Sequence, residues 1–201
     1  MDDLKLVMHG IAVKKYATVE EVSVITGLCP DAVTSLASEA VAKQRASVAN
    51  GKYLLTPIGQ VTLSSEYARH YAGLRKDQEF LTAYEEFEQI NIHLKKAITD
   101  WQTIEIGGQT VPNDHRNQEY DNSIIDRLGG IHEKVEIVLE RLSKKERRLR
   151  HYLDLLLSAL EKAEDGEIAW VSDATIASYH TVWFELHEDL LRVVGREREE
   201  R

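Results

Sequence analysis

Phe80, Tyr84, Phe87, Asn91, Leu94, Ile98 and Trp101 follow one another at alternating intervals of four and three. That spacing draws a single stripe along one α-helix of about 77–102. A stripe of this length has to be covered by other helices, and the sequence supplies three. The second, roughly 120–143, carries Ile124, Leu128, Ile131, Val135, Val138 and Leu142. The third, roughly 145–165, carries Leu149, Leu153, Leu156, Leu160 and Ala163, and the fourth, roughly 174–196, carries Ile176, His180, Trp183, His187, Leu190 and Val194. Short connections at 143–145 and 166–173 make neighbouring helices antiparallel, so residues 76–201 are expected to form an antiparallel four-helix bundle. The segment Thr103–Glu119, broken by Gly107-Gly108 and Pro112, reads as a long loop at the end where the first helix stops and the fourth starts. The charged tail from Arg196 to Arg201 is expected to fray.

Three of these stripe positions are polar. Asn91 interrupts the first helix, and His180 and His187 interrupt the fourth. Burying such groups without partners costs about 1–3 kcal/mol each, so a bundle built for stability alone would carry leucine there. At a rise of about 1.5 Å per residue, His180 and Lys95 each fall about 9 Å below the common end. Gly129-Gly130 lie level with Asn91 and leave room beside the backbone, although mid-helix glycine costs about 1 kcal/mol against alanine. Trp101, Tyr179 and Trp183 supply flat apolar walls. An aromatic-lined pocket with Asn91, Lys95 and His187 converging on it suits a small planar ligand, with Pro112-Asn113-Asp114-His115 as a lid. A metal is not expected, because His180 and His187 stand two helical turns apart.

The first 75 residues follow a different plan. Helices are expected over 3–15, over 19–26 behind the capping box Thr18/Glu21, and over 31–43 behind Pro30. Two short strands then flank Asn50-Gly51, a strong hairpin signal, and Leu55-Thr56-Pro57-Ile58-Gly59 opens another helix. Three helices, a hairpin and a Leu-Thr-Pro-x-Gly step resemble the winged helix-turn-helix of MarR-type regulators. The expected architecture is therefore mainly α: a winged helix-turn-helix domain over 1–75 and the helical bundle, a candidate aromatic-substrate-binding domain, over 76–201.

Charge argues against a firm hold on DNA. Residues 1–76 carry nine Lys and Arg against seven Asp and Glu, while 77–201 carry sixteen against twenty-seven. Phosphate-binding proteins usually present a basic face. Thr34, Ser35 and Ser38 would touch phosphates, but Asp31 and Glu39 oppose them, so DNA is a disfavoured partner. Cys29 is the only cysteine, which excludes an intrachain disulfide and a thiolate metal site. No signal-peptide pattern opens the chain and no apolar run is long enough for a membrane span, so a cytoplasmic location without membrane contact is expected. Phosphate-cradling glycine loops and the Gly-x-Ser-x-Gly elbow are also absent from the sequence.

Thr99-Asp100-Trp101-Gln102, Asn113-Asp114-His115 with Tyr120-Asp121, and the run Ser178 to Leu190 resemble a module of pyruvate phosphate dikinase-like phosphotransferases. The likeness covers about 75–198. It is similar to the small subunit of dikinases that phosphorylate hydroxyphenyl ketones, such as acetovanillone, in catabolism of lignin-derived aromatics. The resemblance implies a large partner subunit carrying ATP, magnesium and the phosphohistidine, with no cofactor bound by this chain, which would be inactive alone. It implies an aromatic substrate whose phenolic hydroxyl is phosphorylated. His180 or His115 would be the base, oriented by Asp114. Lys95 or Arg116 would offset charge, and Trp101 and Trp183 would clamp the ring. The alternative is a MarR-like regulator that senses an aromatic compound in the bundle.

Overall fold

Helix starts fall where the capping residues put them. In the computed structural model, which describes residues 1–197, Asp2 accepts from the Lys5 amide and opens α1 (Asp3–Lys14). Thr18 and Glu21 bond reciprocally at 3.2 and 2.7 Å to open α2 (Val19–Thr26), which ends at left-handed Gly27. Pro30, which has no N–H to leave unpaired, begins α3 (Pro30–Ala42). Strands β1 (Ala46–Ala49) and β2 (Lys52–Leu55) pair antiparallel, with Ala46 opposite Leu55 and Ala49 opposite Lys52. The turn needs positive φ at two successive residues, and Asn50 (52°) and Gly51 (75°) supply it.

Thr56 Oγ1 accepts from the Gly59 amide at 3.1 Å and caps α4 (Pro57–His70). Here glycine is a steric requirement. A Cβ on residue 59 would stand 1.8 Å from the Arg45 carbonyl oxygen. Val7, Ile11, Ala17, Val22, Val33 and Ala37 form the core of these elements.

The second set of elements starts with α5 (Gln78–Gln102). It continues through β3 (Thr103–Ile106), β4 (Gln109–Pro112) and α6 (Gln118–Lys145). After it come α7 (Arg150–Glu164), the short α8 (Ala169–Ser172) and α9 (Tyr179–Val194). Among the described residues the fold is mainly helical, 72%, with two small two-stranded sheets. It divides into two compact units, Gln78–Leu186 on the one hand and Met1–Asp77 with the described residues from His187 onward on the other. Among the described residues no helix is long and apolar enough to cross a membrane. Of the charged tail, residues 198–201 lie outside the described residues.

Two expectations are corrected. Thr103–Glu119 is not a loop throughout, because β3 and β4 form a hairpin with Thr103 opposite Pro112 and Ile106 opposite Gln109. Gly107 and Gly108 take φ of 61° and 79°, so the pair read as a helix breaker is the turn of a tight hairpin. The last helix also starts later than its stripe suggests. Asp173 Oδ1 accepts from the Thr175 amide and hydroxyl, both at 2.7 Å, and holds a turn ahead of α9. Ile176 is therefore not helical. His180 sits in the first turn of α9 instead of about 9 Å down it.

Candidate functional site

The hairpin places the segment 113–117 across the end of α5 and the start of α6. Asn113 N–H donates to the Gln102 carbonyl at 2.9 Å. Its side-chain amide donates to the Trp101 carbonyl at 3.1 Å and to Asp121 Oδ1 at 2.8 Å. Its Oδ1 accepts from the His115 amide at 3.1 Å, which closes a short Asx turn. His115 is held there at φ 56°, a conformation that costs a non-glycine residue about 1 kcal/mol. Such a cost persists only where the surroundings enforce it.

What the turn achieves is a dyad. His115 Nδ1 lies 3.1 Å from Asp121 Oδ2, and Asp121 keeps only 4% of its surface. The imidazole packs against the buried Trp101 ring, with centroids 4.5 Å apart and 37° between planes. A buried carboxylate on Nδ1 leaves Nε2 as the lone-pair nitrogen, the arrangement that lets a histidine take a proton. Nε2 has no partner among the described residues, and the side chain is 27% exposed. The residues flanking His115, namely Asn113, Asp114 and Arg116, line an open concavity of about 710 Å³ with Ile104, Ile106 and Val111 of the hairpin.

The base of this site is braced. Tyr120 Oη donates to the carbonyls of Asp100 and Thr103 at 2.9 and 3.1 Å. Asp100 accepts from Arg127 at 2.8 Å and from Lys96 at 3.3 Å. Partial burial opposes ionisation of Asp100, but these two bonds and the charges behind them hold its carboxyl below the usual range.

Several expectations change in position or role. The carboxylate that orients His115 is Asp121. Asp114 is exposed and accepts from the Arg116 amide at 3.2 Å, with its other oxygen 3.4 Å from Arg116 Nε. Lys95 is on the exposed face of α5 and walls nothing, because it falls one residue past the buried Leu94. Asn91 and Trp183 satisfy each other: Trp183 Nε1 donates to Asn91 Oδ1 at 3.0 Å, and Asn91 Nδ2 donates to Glu88 at 3.3 Å. Trp183 stacks on Phe87 and on Tyr179, at 5.1 and 6.1 Å. This is aromatic core packing, not a clamp held open for a ring. Burial also pushes the Tyr179 hydroxyl well above the ordinary tyrosine value. Its oxygen stands 3.4 Å from Nδ1 of His132, a histidine that burial shifts downward against the pull of Glu136, Glu164 and Glu133. His180 is half-buried, and the buried His187 belongs to the other compact unit. Of the expected residues, His115 and Trp101 are brought together, with Asp121 and Asn113 beside them. Asp121 had a signal: it lies three residues before Ile124, on the backward extension of the α6 stripe.

Among the described residues no group of three His, Cys, Asp or Glu is placed to hold a metal ion. Comparison with protein-family models, with curated proteins and with solved structures finds no match.

Proposed function

We propose that the chain is the substrate-presenting subunit of a two-component, ATP-dependent phosphotransferase acting on the phenolic hydroxyl of a hydroxyphenyl ketone. In this reading Met1–Asp77 is a winged helix-turn-helix, and α5, α6, α7 and α9 form an antiparallel four-helix bundle. The observation that carries the proposal is the Asp121–His115 pair against the Trp101 ring, with an Nε2 that has no partner among the described residues and with the residues on either side of His115 lining the hairpin concavity. The likeness of Asn113-Asp114-His115 and Tyr120-Asp121 to the dikinase module adds to it.

A pyruvate phosphate dikinase-like large subunit would hold ATP and magnesium and supply the phosphoryl group from a phosphohistidine. This chain's residues would do the rest. His115 Nε2 takes the phenol proton as the oxygen bonds to phosphorus and the phosphorus–nitrogen bond breaks. Asp121 steadies the imidazolium that results. Arg116, 89% exposed, meets the phosphoryl oxygens.

Reconstitution with the large subunit and a hydroxyaryl ketone tests this. His115→Gln should lower kcat by about 10²-fold or more, the usual contribution of a general base, while helicity is retained. Full activity in that variant, or no ATP-dependent loss of the ketone with the wild type, refutes the proposal.

The second reading, a regulator that binds DNA, rests on the three helices and hairpin of the first unit and on exposed Thr34, Ser35 and Ser38 on α3. Exposed Asp31 and Glu39 share that face, and Glu39 pairs with Lys43. Tight operator binding that weakens steeply with salt would favour it over the phosphotransferase.

A further inference from the structure

A second concave surface lies wholly within the unit of Met1–Asp77 and the described residues from His187. It is a cavity of about 450 Å³ between the last turn of α1, strand β2, helix α4 and Arg192. Its accessible apolar lining is Ala12, Leu54 and Leu55, backed by the core residues Ile11 and Leu63. Its polar groups are Gln60, Ser64, Lys15 and Arg192, so two cations and no carboxylate line it in a chain of net charge −9. An apolar body with a negative end is what such a lining selects.

Three details fit. Tyr67, on the wall, has its hydroxyl 2.7 Å from His9 Nδ1, and His9 Nε2 stands 3.2 Å from Asp189 Oδ2 with both side chains fully buried. The bond to His9 engages the Tyr67 hydroxyl away from the cavity and holds its ring in place. Arg192 Nη2 donates to the Ala12 carbonyl at 3.3 Å and to Glu188 at 2.6 Å, yet its buried Nε has no acceptor among the described residues. A charged donor left in that state wants an oxygen partner. Lys15 turns off the end of α1 at φ 65° and ψ −43°, a conformation rare for a side-chain-bearing residue, and this brings it to the cavity.

We propose that this cavity binds a monocarboxylate with a short acyl chain, the chain lying over Ala12, Leu54 and Leu55 and the carboxylate meeting Arg192 and Lys15. The site is independent of the His115 site and of the phosphotransferase reading.

Titration calorimetry on the full chain with hexanoate tests it, with 1-hexanol and inorganic phosphate as controls. Hexanoate should bind saturably, one per chain. Losing a charge-assisted bond is worth about tenfold in affinity, so Lys15→Gln should weaken hexanoate by about that factor. Ser64→Trp, at an exposed lining position of α4, should abolish binding by filling the cavity. Hexanol and phosphate should each bind at least about tenfold more weakly than hexanoate. Circular dichroism confirms that both variants are folded. No saturable hexanoate binding, hexanol equal to hexanoate, or unchanged binding in folded Ser64→Trp overturns the proposal.

Discussion

The tautomer of His115 follows from counting hydrogens around Asn113. An amide nitrogen has two. Those of Asn113 are directed at the Trp101 carbonyl (3.1 Å) and at Asp121 Oδ1 (2.8 Å). The third neighbour of that nitrogen, His115 Nδ1 at 3.3 Å, is therefore left without a donor from Asn113. It faces Asp121 Oδ2 at 3.1 Å, which only accepts, so Nδ1 must carry the proton. A hydrogen bond to a charged group is worth about 1.5–3 kcal/mol net. At about 1.4 kcal/mol per factor of ten, the Nδ1–H form should exceed the Nε2–H form by roughly tenfold to a hundredfold or more. Long-range proton–nitrogen correlation spectra of histidine-labelled protein at alkaline pH separate the two forms directly. Asn113 and His115 sit on different oxygens of Asp121; in Asp121→Asn only one of those positions remains an oxygen and the charge is lost, so the preference should collapse. A wild-type spectrum dominated by Nε2–H, or one unchanged by Asp121→Asn, would refute both the hydrogen count and the role of Nε2 as base.

Three further outcomes test the packing. Gly59→Ala gains about 1 kcal/mol of helix propensity, but its Cβ meets the Arg45 carbonyl, so urea unfolding should show a net loss of about 1–3 kcal/mol. A stabilised variant would contradict this. Asn91→Leu leaves the buried Trp183 N–H without its acceptor and should cost about 1–3 kcal/mol in the same assay; an unchanged midpoint would mean that this bond is dispensable. His132 titrates below its ordinary value of 6.5 because it is buried, so the folded chain binds fewer protons there than the unfolded one. Its share of stability is complete above about pH 6.5 and is lost as pH falls below that. His132→Gln should therefore lose less stability than wild type between pH 7.5 and pH 5.5, and an equal loss would assign the acid sensitivity elsewhere.

The parts of the fold legible in the sequence were those decided within a few residues. The Thr18/Glu21 box, Pro30 and Asn50-Gly51 each do locally what their chemistry requires. The long stripe of α5 is buried from Phe80 to Trp101. Periodicity failed where two structures share one pattern. Gly107-Gly108 breaks a helix and also turns a hairpin, and only pairing of Thr103–Ile106 with Gln109–Pro112 decides between them. The spacing of Ile176, His180 and Trp183 is helical, yet the Asp173–Thr175 turn delays α9 to Tyr179.

The same limit governs the site. Polar residues on a stripe announce that something satisfies them, and the stripe does not say what. Asn91 is satisfied by Trp183, so the feature that looked most functional is a core bond. Asp121, at the head of the α6 stripe, is satisfied by Asn113 and His115, whose positions depend on a hairpin that brings residue 113 back beside Gln102. A buried carboxylate needs donors, and the donors available here include an imidazole that retains an exposed face. Identifying the pair takes the chain's path between α5 and α6, and no count of spacings along one helix contains it.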